Sequence, residues 1–499
     1  MSFFSTRAGT CVTASQAILR GLAEDGGLFV PAMFPPIAPV KMIELSRMSY
    51  AERASFILRR FLEDFSIPEI DGAVQAAYGP DRFNDPAVAP LKQLDPDTYV
   101  MELFHGPTLA FKDMALQLLP HLVGMSAVKN GEKREISILV ATSGDTGKAA
   151  LEGFRDVPGT SCTVFYPKDG VSRVQQLQMV TTGGANTHVI AVEGNFDDAQ
   201  TGVKELFASE DFRREMDARG KVLSSANSIN FGRLAPQVVY YFSAYADLLK
   251  NGDNLNGEPV NFVVPTGNFG DILAGYYARS MGLPVGKLIC ASNRNNVLTD
   301  FFRTGIYSTH RTFFKTISPS MDILVSSNLE RLLFEAADRD GNLVSVWMKQ
   351  LKECGSYSVG EQRLEWLRSA FWADCADDLQ TRAEIRNRFE QDHYLMDPHT
   401  AVASCALKNY RKETGDNTPA VIVSTASPYK FTADVLTALR GAEATEGLDA
   451  FRCADRLCEL TGVPVPAQVS GLKELPVRHT LTCGRQAMGE AVMKAYDGK

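Results

Sequence analysis

The sequence predicts an α/β protein built on parallel sheets. Six short runs rich in apolar residues alternate with stretches of helical periodicity, and glycine-rich turns follow two of these runs directly. Apolar residues in these runs are mostly consecutive rather than alternating with polar ones, which is typical of strands that helices cover on both faces. The runs occupy residues 136–141, 161–166, 188–193, 261–264, 288–292 and 420–425. Ligands of such sheets bind beyond the carboxyl ends of the strands, where these turns lie.

The composition is that of a globular protein. Of the 499 residues, 45% are apolar and 22% are charged, which excludes a disordered or fibrous chain and allows a large core. The formal net charge is −8, and no block of one sign indicates a nucleic-acid partner or an anionic membrane surface. No apolar run is long enough to cross a bilayer, so we expect no membrane-spanning segment.

The nine cysteines are expected to be free thiols. Their number is odd, and the close pair Cys453 and Cys458 has a spacing that fits neither a zinc nor a redox motif. Only seven histidines are available as further ligands. We therefore expect no metal site, and we expect a reducing compartment, where disulfides are rare.

Three regions are predicted along the chain. They are an N-terminal unit at 1–85, a smaller α/β domain at 86–235 and a larger α/β domain at 236–499. The first contains helical stretches at 15–23 and 48–65. The charge-rich segment 328–395 is expected to be a helical layer. Residues 1–23 contain two arginines and no acid, which fits either a transit peptide or a first strand and helix of the folded body.

The first candidate functional residue is Lys112, in the segment 105–113. It follows the apolar residues Leu109, Ala110 and Phe111 and precedes a helical run. Burial against apolar groups disfavours the ammonium form and lowers the pKa of a lysine. A neutral amine is what Schiff-base chemistry requires. The alternative is an ordinary solvated lysine.

A second candidate is the strand-to-helix turn at 142–147. Its hydroxyls and acid are Thr142, Ser143, Asp145 and Thr146, and it lacks two positions of the P-loop pattern. Exposed amides at such a turn suit a carboxylate or a phosphate. A simple capped helix start is the alternative.

A third candidate is the turn at 266–271, directly after a predicted buried strand. Gly267 and Gly270 flank Asn268 and Phe269, and Asp271 follows them. Glycine permits close approach of the backbone to a ligand, and successive N–H groups at a helix start bind anions. The position after a strand makes this turn a candidate anion cradle.

Two further polar segments complete the candidate site. Asn227, Ser228 and Arg233 lie within the segment 225–233, and the arginine fork suits a phosphate or a carboxylate. Thr425 ends the sixth predicted strand, on the edge where the glycine turns lie. Each segment alone equally fits a surface loop or a strand end.

Taken together, these segments resemble the threonine synthase family of pyridoxal-phosphate enzymes, which have the tryptophan-synthase-β fold type. The matching segments, in chain order, are HGPTLAFKD (105–113), TSGDTG (142–147), ANSINFGR (226–233), PTGNFGD (265–271) and STASP (424–428). Residues 21–29 and 397–402 also match, so the resemblance covers nearly the whole chain. It implies two α/β domains of fold type II with an N-terminal domain, and it favours a folded N-terminus over a transit peptide.

The resemblance implies how the cofactor, pyridoxal 5'-phosphate, is bound. Lys112 would bind the cofactor aldehyde and later move protons. The residues that would cradle the cofactor phosphate and start the next helix are Gly267, Asn268, Phe269, Gly270 and Asp271. Thr425 would face the pyridine nitrogen, and Asp145 would lie beside the cofactor.

The resemblance also implies the substrate contacts. The substrate carboxylate would lie against the turn of Thr142, Ser143 and Thr146. The substrate phosphate would be recognised by Asn227, Ser228 and Arg233. Ser427 departs from the pattern, since many relatives carry histidine at that position.

The implied reaction converts O-phospho-L-homoserine and water to L-threonine and phosphate by γ-elimination and β-addition, the last step of threonine biosynthesis. A cytoplasmic monomer is expected, with no nucleic-acid or membrane partner. Two alternatives stay open at this point. One is another lyase or dehydratase of fold type II, and the other is a non-catalytic paralogue that retains the fold.

Overall fold

The computed structural model describes residues 1–7, 9, 11–142, 144–252 and 257–498, without the side chain of Asp197. It confirms the predicted α/β class. Within the described residues, one sheet has six strands, a second has five, and two small sheets have three and two. No helix of this part of the chain is long and apolar enough to span a membrane.

The strands are numbered in chain order. They are β1 Ser2–Ser5, β2 Cys11–Thr13, β3 Phe29–Pro31, β4 Leu91–Asp95, β5 Thr98–Glu102, β6 Glu135–Ala141, β7 Thr160–Pro167, β8 Thr187–Glu193, β9 Lys221–Ser224, β10 Val260–Pro265, β11 Val285–Ser292, β12 Ile306–Ser308, β13 Ser356–Ser358, β14 Phe371–Cys375, β15 Ala420–Ser424 and β16 Leu481–Gly484.

The α-helices are numbered in the same way. They are α1 Ala14–Arg20, α2 Val40–Leu45, α3 Tyr50–Phe61, α4 Ile67–Tyr78, α5 Asp113–Leu116, α6 Leu119–Lys129, α7 Asp145–Phe154, α8 Arg173–Val180, α9 Phe196–Ala208, α10 Glu210–Ala218, α11 Phe231–Asn251, α12 Gly270–Ser280, α13 Val297–Thr304, α14 Leu329–Ala336, α15 Gly341–Cys354, α16 Glu361–Ala370, α17 Asp378–Asp392, α18 Pro398–Thr414, α19 Thr432–Arg440, α20 Ala450–Thr461, α21 Ala467–Ser470 and α22 Met488–Tyr496.

The N-terminal region combines the antiparallel sheet β2-β1-β3 with helices α1 to α4. Thr13 and Ser49 begin α1 and α3 with capping boxes, which satisfy free N–H groups at each helix start. The ring of Phe3 on β1 packs 4.6 Å from the ring of Phe231, at the start of the buried helix α11. The predicted helices at 15–23 and 48–65 are therefore present as α1 and α3.

The larger sheet has the order β14-β11-β10-β15-β5-β4, and only the edge strand β4 is antiparallel to its neighbour. Three of the predicted strands, at 261–264, 288–292 and 420–425, are confirmed as β10, β11 and β15. The segment 328–395 differs from the predicted helical layer, because β12–β13 pairing and strand β14 interrupt it. Phe371 of β14 is buried against Phe302, so packing decides this strand.

The smaller sheet is parallel throughout, in the order β16-β8-β7-β6-β9. The predicted strands at 136–141, 161–166 and 188–193 are confirmed as β6, β7 and β8. Alternate residues of β6 face opposite cores: Ile138 and Val140 lie in the main core, and Leu139 lies in a second core with α9, α10 and α22. Helices therefore cover both faces, which explains the continuous apolar runs.

The two large sheets are not continuous in sequence. Strands β4 and β5 belong to the same sheet as β10, β11, β14 and β15, and the C-terminal strand β16 returns to the sheet of β6 to β9. Each large sheet thus contains strands from both sides of the predicted boundary at 235. The domain boundaries at 85 and 235 stay predictions. Helix α11 packs against helices from both the N-terminal region and the region after 260.

Candidate active site

Lys112 is held beside the end of strand β15. After β5 the chain forms a loop whose backbone is hydrogen-bonded to the segment after β15: Phe111 N donates to Thr425 O at 2.8 Å, and Ser427 N donates to Leu109 O at 3.0 Å. The Lys112 ammonium lies 4.5 Å from the ring centroid of Phe111. The structure therefore brings two predicted site residues, from positions more than 300 residues apart, to one strand end.

Lys112 has the lowered pKa that its sequence context predicts. It is half-buried, and loss of hydration is the main cause that lowers its pKa to about 8. The positive charges of Arg233 and Lys430 act in the same direction, whereas the carboxylates of Asp145 and Asp271 oppose them. A substantial fraction of the amine is thus neutral near pH 8.

Asp145 is the first residue of helix α7 and is buried. Its Oδ1 lies 2.9 Å from Lys430 Nζ and accepts a hydrogen bond from Gln175 Nε2 at 3.1 Å. Its Oδ2 accepts a hydrogen bond from Ser320 Oγ at 3.3 Å. Burial opposes ionisation of Asp145, but the charges of Lys430 and Lys112 outweigh it and hold its pKa below the ordinary range. Asp145 is therefore an ionised carboxylate.

The turn before Asp145 is fixed by Thr142. Its Oγ1 accepts hydrogen bonds from Gly144 N and Gly147 N, both at 2.9 Å. The hydroxyl hydrogen of Thr142 is still available to donate to an anion. Thr146 is half-buried in the first turn of α7. Ser143, also predicted here, lies outside the described residues.

The loop between β10 and α12 has the character of an anion cradle. Its carbonyls are engaged: Gly267 O accepts from Ser326 Oγ at 2.8 Å, and Asn268 O accepts from Asn328 N and Nδ2, both at 3.1 Å. The backbone N–H groups of residues 267–270 donate no hydrogen bond within the described part of the chain. Phe269 has φ 63° and turns the chain into the helix. The loop therefore has free N–H donors for an anion, while the carbonyl oxygens of Gly267 and Asn268 are occupied by hydrogen bonds.

Asp271 is a buried carboxyl group at the start of α12. It accepts hydrogen bonds from Tyr240 Oη at 2.6 Å and from Tyr241 Oη at 2.8 Å through one oxygen. Its other oxygen, Oδ2, is buried without a partner among the described residues. Burial raises the pKa of Asp271 to about 6. Asp271 is thus partly protonated near pH 6, and its hydrogen bonds to the two tyrosines hold the start of α12 in place.

The burial of Asp271 predicts a pH-dependent stability. Its pKa is about 6 in the folded protein against 3.8 ordinarily, which corresponds to at most about 3 kcal/mol. A raised folded pKa contributes stability that is fully present below the unfolded pKa and is lost as the pH rises through the folded value. We therefore expect the free energy of unfolding of the wild type, minus that of Asp271→Asn, to fall between about pH 4 and pH 7. Urea unfolding at several pH values measures this difference.

The matched control for Asp271→Asn is Asp211→Asn, at a carboxylate whose side chain is 90% exposed on α10. Its difference from the wild type should be independent of pH, since this side chain is exposed to water in the folded as in the unfolded chain. A constant difference for Asp271→Asn as well would contradict the raised pKa.

Arg233 is a buried cation near Lys112. It lies in the first turn of α11, and its Nη1 donates to Ala226 O at 3.0 Å. Its Nε is buried without a hydrogen-bond partner in the described part of the chain. Burial lowers the pKa of Arg233 to about 10, which leaves it charged at neutral pH. Asn227 and Ser228 are half-buried in the loop before this helix. A desolvated cation with an unused donor is suited to an anionic ligand.

Sequence reasoning missed a group of residues that contact Asp145. Lys430 forms its buried ion pair, and Ser320 donates to its second oxygen. Ser320 N in turn donates to His399 Nε2 at 3.2 Å, and His399 Nδ1 lies 2.7 Å from Asp397 Oδ1. The segment 397–402 had matched the family without any assigned role, and Lys430 lies two residues after the STASP segment. Ser320 had no signal in the sequence.

Three family models match the chain. One described as threonine synthase N terminus matches residues 2–78, and one described as pyridoxal-phosphate dependent enzyme matches residues 86–354. A third, described as threonine synthase, C-terminal, matches residues 400–488. The second of these alone covers more than half of the chain.

Curated relatives share the similarity. A Pseudomonas aeruginosa protein named threonine synthase is 42% identical over 437 residues, covering 86% of this chain and 89% of that protein. The human protein named threonine synthase-like 1 is 41% identical over 442 residues, covering 87% of this chain and 58% of that protein. The chain therefore spans less than two thirds of the length of the threonine synthase-like 1 proteins.

Solved structures agree with the fold. The crystal structure of threonine synthase from yeast superposes with a TM-score of 0.88 at 32% identity, covering 100% of this chain and 99% of that one. The crystal structure of a threonine synthase with bound pyridoxal phosphate from Brucella melitensis superposes with a TM-score of 0.86 at 38% identity, covering 99% and 98%.

Proposed function

Since the chain belongs to the threonine synthase family of pyridoxal-phosphate-dependent enzymes, we propose that it converts O-phospho-L-homoserine and water to L-threonine and phosphate. The single observation that carries the choice of substrate is Arg233. It is a buried cation with an unused Nε donor, and its charge acts on the pKa of Lys112. A phosphorylated amino acid would place its phosphate against Arg233 and its reacting carbons beside the Lys112 amine.

The residues present fit pyridoxal phosphate. The N–H groups of residues 267–270 have no hydrogen-bond partner in the described chain and could therefore bind a phosphate. The loop is tightly packed, since a Cβ atom at Gly267 would lie 2.7 Å from Ser320 O. Lys112 would hold the cofactor aldehyde, and Thr425 would face the pyridine nitrogen. When bound, the cofactor supplies an electron sink for charge that develops on the amino-acid carbons.

Lys112 would then serve as the proton carrier of the site. Its pKa of about 8 lies close to the working pH, which suits a group that must both accept and release a proton. We assign it removal of the proton at Cα of the substrate and its later return. Loss of hydration is the main cause of this lowered pKa, and the charges around Lys112 modify it.

The remaining site residues would orient the substrate. We assign its carboxylate to the turn formed by Thr142, Ser143 and Thr146, where the Thr142 hydroxyl retains a donor. We assign its phosphate to Asn227, Ser228 and Arg233. Binding energy from the phosphate would fix the position of the reacting carbons, which is the general use of a non-reacting group.

Phosphate release tests the proposed function. Full-length protein should release phosphate from O-phosphohomoserine, with added pyridoxal phosphate increasing the rate of cofactor-depleted preparations. Turnover of homoserine, serine and threonine should be much slower. Faster turnover of serine or threonine would favour a dehydratase, and absence of cofactor binding would favour a non-catalytic paralogue.

The cradle at Gly267 predicts a cofactor-binding defect. A Cβ atom at this position would lie 2.7 Å from the carbonyl oxygen of Ser320, so Gly267→Ala must displace backbone on one side of the loop. We expect its dissociation constant for pyridoxal phosphate to rise about tenfold or more, as a shifted loop loses N–H contacts. Fluorescence titration measures it. The control is Gly72→Ala, in helix α4, where a Cβ meets nothing within 4 Å and affinity should be unchanged.

We also propose that the protein is a cytoplasmic monomer of fold type II, with domains at 1–85, 86–235 and 236–499. All nine cysteines are free thiols, which supports a reducing compartment. The two large sheets, parallel except for the edge strand β4, support the fold type. Separate family models for residues 2–78 and 86–354 support the boundary near 85. Size-exclusion chromatography with light scattering tests the monomer, and limited proteolysis tests the boundaries.

A further inference from the structure

Lys430 places a buried ammonium group at the junction of three segments of the candidate site. Its side chain is fully buried, and its Nζ lies 2.9 Å from Asp145 Oδ1. It also donates to Thr108 O at 2.8 Å and to Gln178 Oε1 at 3.4 Å. These three acceptors match the three protons of an ammonium group, so the charge is both paired and hydrogen-bonded.

The backbone around Lys430 fixes its position. The 3₁₀-helix Pro428–Lys430 begins at Ser427, whose Oγ accepts from Tyr429 N at 3.3 Å. Ser427 N donates to Leu109 O at 3.0 Å, in the Lys112 loop. Ser427, which departs from the family pattern, is therefore the N-cap of the short helix that contains Lys430. Lys430 follows the end of β15 in the chain, and its ammonium group is hydrogen-bonded to Thr108 O in the Lys112 loop.

Asp145 depends on this ammonium. A buried carboxylate without a partner is strongly destabilised, and such a group takes up a proton instead. The partners of Asp145 other than Lys430 are neutral donors, Gln175 Nε2 and Ser320 Oγ. Lys430 is therefore the hydrogen-bonded cation that balances the charge of Asp145.

We propose that Lys430 is a positioning residue, which keeps Asp145 ionised at the start of α7 and locks it to the loop that carries Lys112. The catalytic consequence rests on the proposed function. The charged groups that act on Lys112 are Asp145 and Asp271, which favour its protonated form, and Arg233 and Lys430, which favour its neutral form. Removal of Asp145 must therefore lower the pH midpoint of Lys112. Removal of Lys430 also neutralises Asp145 if the proposal holds, so it must give the same midpoint as removal of both charges.

Charge-changing variants of the full-length protein test the inference. We expect Asp145→Asn to lower the pH midpoint of Lys112 by about one pH unit, and Lys430→Met to have the same midpoint as the double variant Lys430→Met, Asp145→Asn. Lys430→Arg keeps the charge and should leave the midpoint in place. Two readouts are used. The first is the rate of Lys112 acetylation in cofactor-free protein as a function of pH, measured by peptide mass spectrometry. The second is the visible absorbance of the cofactor-loaded protein as a function of pH.

The matched control is Lys148→Met. Lys148 is also a poorly exposed lysine on α7, paired with Glu152 at 2.8 Å, but it is not among the charges that act on Lys112. Its midpoint should equal that of the wild type. A Lys430→Met midpoint that lies about one pH unit above that of the double variant shows that Asp145 stays ionised without Lys430, and it overturns the inference.

The double variant also covers a failure of Lys430→Met to fold. It removes both charges and should fold, because no unpaired carboxylate stays buried. If Lys430→Met does not fold, rescue by Asp145→Asn in the double variant supports the inference, and failure of the double variant to fold overturns it. Wild-type protein that releases no phosphate from O-phosphohomoserine, while Lys430→Met and the double variant share one midpoint, contradicts the proposed function and supports the role of Lys430.

Discussion

Lys112→Ala is expected to reduce phosphate release from O-phosphohomoserine by about a thousandfold, the range associated with loss of a positioned acid–base group. The preceding residue, Phe111, donates a backbone hydrogen bond to Thr425 O, and the Lys112 ammonium lies 4.5 Å from the centroid of the Phe111 ring. The variant also lacks the amine that would bind the cofactor aldehyde. Continuous assay of inorganic phosphate measures the rate.

Lys112→Arg separates the length and positive charge of the side chain from its ability to lose a proton. It retains length and positive charge but offers no amine that can be deprotonated near neutral pH, so it should be as inactive as Lys112→Ala. Borohydride treatment should add the mass of the cofactor to the peptide of Lys112 in the wild type and not in either variant. Lys41→Ala, at an exposed lysine of α2, should retain the wild-type rate. A wild-type rate for Lys112→Ala would contradict both the site and the proposed function.

Arg233→Gln is expected to lower kcat/KM for O-phosphohomoserine by about a hundredfold or more, because a buried charged partner of the substrate is lost. The guanidinium is buried, and one of its donors is unused in the described structure. The loss should appear mainly in KM if the phosphate serves for binding, and in kcat as well if it positions the reacting carbons. Inhibition by inorganic phosphate should weaken in parallel. Steady-state kinetics with both ligands measures these effects.

Arg233→Lys tests whether charge alone suffices. A lysine supplies the charge but not the planar fork, so we expect an intermediate kcat/KM. Arg214→Gln, at an exposed arginine of α10, serves as the control and should resemble the wild type. The affinity for pyridoxal phosphate should be unchanged in Arg233→Gln, since the cradle proposed for the cofactor phosphate lies at 267–270. An unchanged kcat/KM would remove Arg233 from the substrate site.

Much of the fold could be predicted because buried parallel strands leave a strong local pattern. The six apolar runs became β6, β7, β8, β10, β11 and β15, within a few residues at each end. The strands that were not predicted are short or half-exposed, such as β9, β14 and β16. Their residues carry little apolar periodicity, so partners distant in sequence decide their conformation.

The candidate site was predictable to the extent that its residues lie in glycine turns and strand ends. Lys112, Asp145, Arg233, Asp271 and Thr425 are buried or half-buried, and the charges of Asp145, Arg233 and Asp271 all act on Lys112. Lys430, Ser320 and His399 were missed for one reason. A lysine, a serine or a histidine has no local pattern that distinguishes a buried partner from a surface residue, and only contact with Asp145 or its neighbours reveals the difference.

By itself, the sequence determined the α/β class, the order of the motifs, the family resemblance and therefore the residue types available for chemistry. These depend on local periodicity and on residue identity, which the chain carries without folding. The tertiary structure alone decided that β5 joins β15, that β16 returns to the smaller sheet, and that Lys430 meets Asp145. Strand pairing and buried ion pairs join residues hundreds of positions apart, so their free energy exists only once the sheets are packed.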